Sequence, residues 1–215
     1  LTDAAAPNDQ EVVPGAYSVS ETVPAGWDLT SATCDLGETS NSVDVGPGET
    51  VTCIFENQAD AIIIVEKQTD PNGDPTVFDF DLNYGDGNAD LSDGQTDNSG
   101  DLDPGIYSVA ENVPAGWDLI STVCTSSLGG TESAAVINLT AGETVTCVFT
   151  NQKDSNIIVE KQTNPADSPQ LFDFNVSWDA GDAPDFQLAD NGTNNSGDLD
   201  PGTYSASETV PSGWD

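Results

Sequence analysis

A dodecamer recurs three times with few changes: YSVSETVPAGWD at Tyr17–Asp28, YSVAENVPAGWD at Tyr107–Asp118 and YSASETVPSGWD at Tyr204–Asp215. Near-copies of this kind make the chain a tandem array, so every other feature has to be read repeat by repeat. Glu21 and Glu111 stand 90 positions apart, and Glu111 and Glu208 stand 97 apart. That period is the size of one small β-sandwich. Val, Thr and aromatic residues alternate with polar ones between Gly/Pro/Asn/Asp clusters, and no stretch carries a helical period, so the fold class is all-β. The expectation is tandem β-sandwich repeats of about 90–97 residues: 1–58 as the second half of one, 59–152 as a complete one, and 153–215 as the first half of a third.

Within the complete repeat, alternation predicts strands over 62–69, 76–83, 89–92, 105–112, 117–124, 134–139 and 144–151. Successive side chains on a strand point to opposite faces. On the first strand Ile63, Val65 and Lys67 therefore share a face; on the middle strand Tyr107, Val109 and Glu111; on the last strand Val145, Cys147, Phe149 and Asn151. Each apolar row ends in one polar group: an amine, a carboxyl and an amide. If the three meet in the core, a low dielectric favours their neutral forms. A neutral amine is a nucleophile, and a protonated carboxyl can polarise an amide carbonyl and move protons. The product would be a Lys–Asn isopeptide bond with release of ammonia. The plainer reading, Lys67 reaching water from a strand end and Asn151 capping a turn, is weakened by the recurrence of VEKQT at Lys67 and Lys161. The chain has only one other lysine.

A first-strand Lys, a Y-x-x-x-E-x-x-P-x-G-W segment and a last-strand F-x-N resemble Cna-type B domains and SpaA-like pilin domains, the prealbumin-like sandwiches of bacterial surface proteins. The resemblance covers essentially the whole chain. It implies that Lys67 and Asn151 are a bonded pair and that Glu111 is the catalytic carboxyl. By the same matching, Glu21 and Asn57 belong to one part-triad, and Lys161 and Glu208 to another. Trp27, Trp117 and Trp214 stand where the family more often has Tyr.

The four cysteines fall as one pair per repeat, Cys34 with Cys53 and Cys124 with Cys147. There is no CxxC spacing and no His, so zinc is not expected. The spacing is read as disulfides between the strand after the Trp and the last strand, which implies an oxidising, extracellular setting. The family pattern does not contribute to this pairing.

Composition bounds the partners. With 38 acidic residues, three Lys, no Arg and no His, the net charge is −35. Nothing is present to neutralise phosphates, so nucleic acid is excluded as a partner of a basic patch, and anionic membrane surfaces are disfavoured. No apolar run is long enough to span a bilayer. Leu1 opens no signal peptide, so the segment reads as an excerpt or a mature product. Asp70-Pro71-Asn72-Gly73-Asp74 and Asp86-Gly87-Asn88-Ala89-Asp90 begin like calcium loops. However, Pro75 and Leu91 sit where such a loop needs Gly, and the final Glu is missing. They are read as solvated turns with at most weak Ca2+ affinity, and no cofactor is expected. Asn138, Asn175, Asn191 and Asn194 lie in N-x-S/T sequons and are candidate glycan sites. The expected function is a structural extracellular fibre, stalk or filament, with further copies of the repeat as partners and self-crosslinking as the only chemistry. The alternative is an adhesin that binds a ligand through its variable loops, such as 35–48 and 126–134.

Overall fold

The computed structural model describes residues 5–179 and 184–215; Leu1, read above as the start of an excerpt, lies outside them. Residues 15–59 form β1 (Gly15–Tyr17), β2 (Trp27–Cys34), β3 (Val43–Val45) and β4 (Cys53–Ala59). The central repeat forms β5 (Ile62–Asp70), β6 (Phe78–Leu82), β7 (Asn88–Leu91), β8 (Thr96–Asn98), β9 (Gly105–Tyr107), β10 (Val109–Asn112), β11 (Trp117–Ser126), β12 (Thr131–Glu132), β13 (Ile137–Leu139) and β14 (Thr144–Lys153). Then follow β15 (Ile158–Glu160), β16 (Phe172–Val176), β17 (Phe186–Leu188), β18 (Thr193–Asn195) and β19 (Ala206–Thr209). Among the described residues, no helix is long and apolar enough to cross a membrane.

The central repeat is a sandwich of a five-stranded sheet, ordered β12-β11-β14-β5-β8, and a three-stranded sheet, β10-β6-β7. A β9–β13 ribbon stands beside them. The first and last strands, β5 and β14, lie side by side and run parallel, from Thr144 opposite Ile62 to Gln152 opposite Asp70. Alternation holds along both. Ile63, Val65 and Lys67 are buried on β5, and Val145, Cys147, Phe149 and Asn151 on β14. The facing sheet contributes Phe78 and Phe80, which meet Trp117 and Phe149 edge-on, with ring centroids 5.2 and 5.1 Å apart. Edge-to-face packing of this kind adds to the hydrophobic term. Leu91, Val109, Ile137 and Leu139 close the core.

The flanking segments repeat the same pairings. β1 pairs with β3 as β9 does with β13, and β2 with β4 as β11 does with β14, down to a bulge at Leu29/Ser31 and at Leu119/Ser121. β17-β16-β19 matches β7-β6-β10, and β15–β18 matches β5–β8. A small core of Phe172, Phe174 and Leu188 forms there, against Val159, Phe186 and Trp214.

Three strand expectations need correction. The segment over 105–112 is two strands, broken at Ser108. β9 pairs with β13, while β10 crosses to β6 in the other sheet. The switch at Ser108 is fixed by its N–H, which donates to Asn83 Oδ1 (2.8 Å). As a result Tyr107 is only half-buried, and its hydroxyl donates to Asp103 O (2.8 Å). The strand expected over 134–139 is confined to Ile137–Leu139, and the one over 76–83 to Phe78–Leu82. β8, Thr96–Asn98, was not foreseen, because it is polar throughout. It is held by backbone pairing to Ile64–Glu66, and Ile63 N–H donates to Ser99 Oγ (2.9 Å).

The two disulfides join residues directly opposite in register: Cys34–Cys53 across β2 and β4, and Cys124–Cys147 across β11 and β14. These are the strands expected from spacing. The second bridge closes 23 residues, and loop entropy alone assigns such a closure about 3 kcal/mol. The Cys124→Ala/Cys147→Ala protein is expected to lose about that much unfolding free energy in urea. A loss below roughly 1 kcal/mol would mean that the sheet alone already restricts that loop.

Candidate functional site

Three strands from two sheets bring the site together. β5 and β14 are neighbours with Lys67 opposite Phe149, so Asn151 lies two residues further along on the same inward face. Glu111 arrives from the opposing sheet, where β10 pairs Glu111 with Phe80. Lys67 and Asn151 have no exposed surface, and neither does the Glu111 side chain. Lys67 Nζ donates to Asn151 Oδ1 (2.6 Å), Gln68 O (2.8 Å) and Phe149 O (3.3 Å). It stands 3.2 Å from Glu111 Oε1. The Phe78 ring covers the amine from one side, 4.0 Å from Nζ to the centroid.

The polar atoms are only partly satisfied. Asn151 Nδ2 and Glu111 Oε2 are buried without a hydrogen-bond partner, and Glu111 Oε1 has only its ion pair with Lys67. Buried polar groups are ordinarily paired, and an unpaired one is costly. Burial pushes the Lys67 ammonium below its usual range, while the nearby Glu111 and then Asp93 charges push it back up. The net direction is downward, which favours the free amine. Phe78 and Asp93 were absent from the sequence-based site. The recurrence of Phe-Asp-Phe at 78–80 and 172–174 was the available signal for the first.

The part-triads also meet. Asn57 Nδ2 donates to Glu21 Oε1 (2.9 Å), and Asn57 Oδ1 is buried without a partner. Its counterpart Asn151 Oδ1 is the atom that receives Lys67. Lys161 Nζ lies 2.7 Å from Glu208 Oε1 and 3.9 Å from the Phe172 ring centroid. That reproduces the arrangement of Lys67, Glu111 and Phe78, although both side chains remain partly exposed.

The other candidates are dispersed. Asn138 is exposed on β13, Asn175 and Asn194 are half-buried on β16 and β18, and Asn191 sits at a turn with φ 60°. In the first calcium-like turn, Asp74 is already engaged. Its Oδ1 accepts from Thr76 N–H and Oγ1–H, and its Oδ2 accepts from Lys153 Nζ (2.7 Å).

A two-sheet sandwich with parallel outer-chain strands, closed at one end by a buried amine, carboxyl and amide, defines a class of tandem β-sandwich domains. Residues 63–153 match one SpaA model described as a prealbumin-like fold domain, and residues 2–55 match a second of the same description. These segments make up more than half of the chain, and the chain belongs to the SpaA-type prealbumin-like family.

Among solved structures, the major pilin protein T-13 of Streptococcus pyogenes aligns at 19% identity over 68% of this chain and 70% of its own, with a TM-score of 0.36. The T3.2 major pilin of the same species aligns at 16% over 66% and 68%, with a TM-score of 0.34. The TIE protein of Bacillus anthracis aligns at 17% over 94% of this chain and 47% of its own, with a TM-score of 0.36. No curated protein matches the chain in sequence.

Proposed function

We propose that the chain is a stretch of an extracellular structural fibre, pilus-like or stalk-like, in which each complete repeat locks itself with a Lys–Asn isopeptide bond. The observation that carries this reading is the 2.6 Å approach of Lys67 Nζ to the Asn151 side chain, with Glu111 at 3.2 Å, in a site closed to solvent. In the reaction, the free amine of Lys67 attacks Asn151 Cγ, and the carbonyl electrons move onto Oδ1. Glu111 takes a proton from the attacking nitrogen and delivers it to Nδ2. The Cγ–Nδ2 bond breaks as the carbonyl re-forms, and one ammonia leaves. The unpartnered state of Nδ2 suits a departing group, since no hydrogen bond holds it back.

Glu111 acts once, on the chain's own side chains, so no turnover of an outside substrate is assigned. Glu21 with Asn57, and Lys161 with Glu208, are assigned the same roles within their own repeats. The disulfides agree with an oxidising location, and membership of the SpaA-type prealbumin-like family fits a surface fibre built from further copies of the repeat.

The test is the intact mass of the reduced, denatured chain. It is expected to fall short of the sequence mass by one ammonia for the central repeat, and Glu111→Ala is expected to restore the full value. A full mass in the unaltered chain, after prolonged incubation at neutral pH, would sink the proposal.

A further inference from the structure

The central five-stranded sheet runs β12-β11-β14-β5-β8. Its order reappears among the described residues as two separate halves, β2-β4 and β15-β18, parted at the place where β14 meets β5. β4 and β15 therefore each have one unpaired edge, a row of unmet backbone donors and acceptors. On β15, Ser196 N–H donates to Ile157 O, and Lys161 N–H donates to Gly192 O, both on the β18 side. By alternation, the N–H groups of Ile158 and Glu160 face the open side.

The two segments carry different strands of the sandwich. Residues 15–59 hold the counterparts of β9, β11, β13 and β14, and residues 158–209 hold those of β5, β6, β7, β8 and β10. The stretches that would duplicate β10 and β9, at 19–22 and 202–204, form no strand. Each half of the reactive site also lacks what the other has. Asn57 Oδ1 is buried without a partner, whereas its counterpart Asn151 Oδ1 receives the Lys67 amine. Lys161 has its carboxyl, Glu208, and its ring, Phe172, but no amide. Phe55 is only half-buried where Phe149 is buried, and the Lys161 side chain is 15% exposed where that of Lys67 is closed off.

We infer that β15 of one chain receives β4 of a second copy as a parallel strand, which brings Asn57 of the second copy to Lys161 and Glu208. In the register of β14 on β5, Phe55 falls opposite Lys161, and Asn57 lies two residues further along the same face. One copy's own edges do not meet. β4 leads into the start of β5, and β15 follows the end of β14. Those points lie at opposite ends of a parallel pair, about 25–30 Å apart at about 3.3 Å per residue,. A head-to-tail contact of this kind does not close on itself, so it builds an open filament.

Two groups give way as the strand enters. Glu21, outside any strand, holds the Asn57 amide until the amine arrives with Glu208. Trp214, which meets the Phe172 ring edge-on at 5.1 Å, yields to Trp27, the counterpart of Trp117 and 47% exposed. The docking rests on the strand edges, and the bond that follows rests on the reaction assigned to Lys67 and Asn151. Lys161 Nζ joins Asn57 Cγ, the Cγ–Nδ2 bond breaks, Glu208 carries the proton to Nδ2, and ammonia leaves.

The test takes the 215-residue chain, sedimented over a range of concentrations and then weighed after reduction and denaturation. Oligomers that grow with concentration are expected. The denatured chains should form a mass ladder, each joint losing one ammonia beyond the one lost per central repeat. Glu160→Pro removes an N–H on the open side and leaves the β18 pairing in place. It is expected to keep the chain monomeric, while ammonia loss from its central repeat reports that it is folded. Oligomers that vanish in Glu160→Pro, with no ammonia lost anywhere, support the docking and sink only the bond-forming reaction. A monomer at every concentration, a ladder unchanged by Glu160→Pro, or central ammonia loss without a ladder overturns the inference. Should the variant fail to fold, digestion of the unaltered ladder decides. Peptides joined through Lys161 and Asn57 support the inference, and any other joint overturns it.

Discussion

Stretched between its termini, the chain is expected to show no unfolding step from the segment between Lys67 and Asn151, at forces that open ordinary β-sandwiches. In the Glu111→Ala chain the same segment should open and release about 200 Å of contour with the Cys124–Cys147 bridge intact. Roughly 280 Å is expected once the bridge is reduced, at about 3.4 Å per extended residue over the 84-residue separation,. The difference follows from where the proposed bond sits. Lys67 and Asn151 lie on the first and last strands, so tension arriving through Ile62 and leaving through Lys153 crosses from one to the other without loading the strands between. The link also restricts the unfolded chain, by about 4–5 kcal/mol on the loop-entropy estimate used for disulfides. Equal release from both chains would remove the mechanical part of the proposal, even if the mass showed a bond.

Phe78→Ala is expected to be the most damaging single change outside Lys67, Glu111 and Asn151. Phe78 is fully buried, meets Trp117 edge-on and covers the Lys67 amine at 4.0 Å. Deleting such a ring leaves a cavity and costs about 3–5 kcal/mol. The space also lets water reach Nζ, which favours the ammonium and removes the nucleophile. Urea unfolding in the Glu111→Ala background reads the first effect without interference from a crosslink. The fraction of chain lacking one ammonia, measured with Glu111 in place, reads the second. A loss under 1 kcal/mol together with complete crosslinking would show that Phe78 is filler and does not shield the amine.

The positions of Lys67 and Asn151 were legible because period two is rigid: a residue two places beyond a buried Val or Phe must face the same way. Glu111 was legible as an inward carboxyl, but its route was not. The sequence runs without a break from Tyr107 to Glu111, and only the backbone shows that the chain changes sheets at Ser108. That change is what lets the carboxyl approach the amine from the opposing layer. β8 escaped notice because Thr96-Asp97-Asn98 has no apolar face and is stabilised through its backbone alone. The disulfide partners were readable from spacing since each repeat holds only one pair.

The parallel course of β5 and β14 has one more consequence. Chain ends that leave a parallel pair in opposite directions load its hydrogen bonds in shear, so all nine paired positions from Ile62 to Asp70 resist together. An antiparallel closing pair would present its bonds to the load one after another, like a zipper. The repeat is therefore stiff through its backbone pairing alone, and a freshly folded domain can carry tension before the proposed Lys67–Asn151 bond forms.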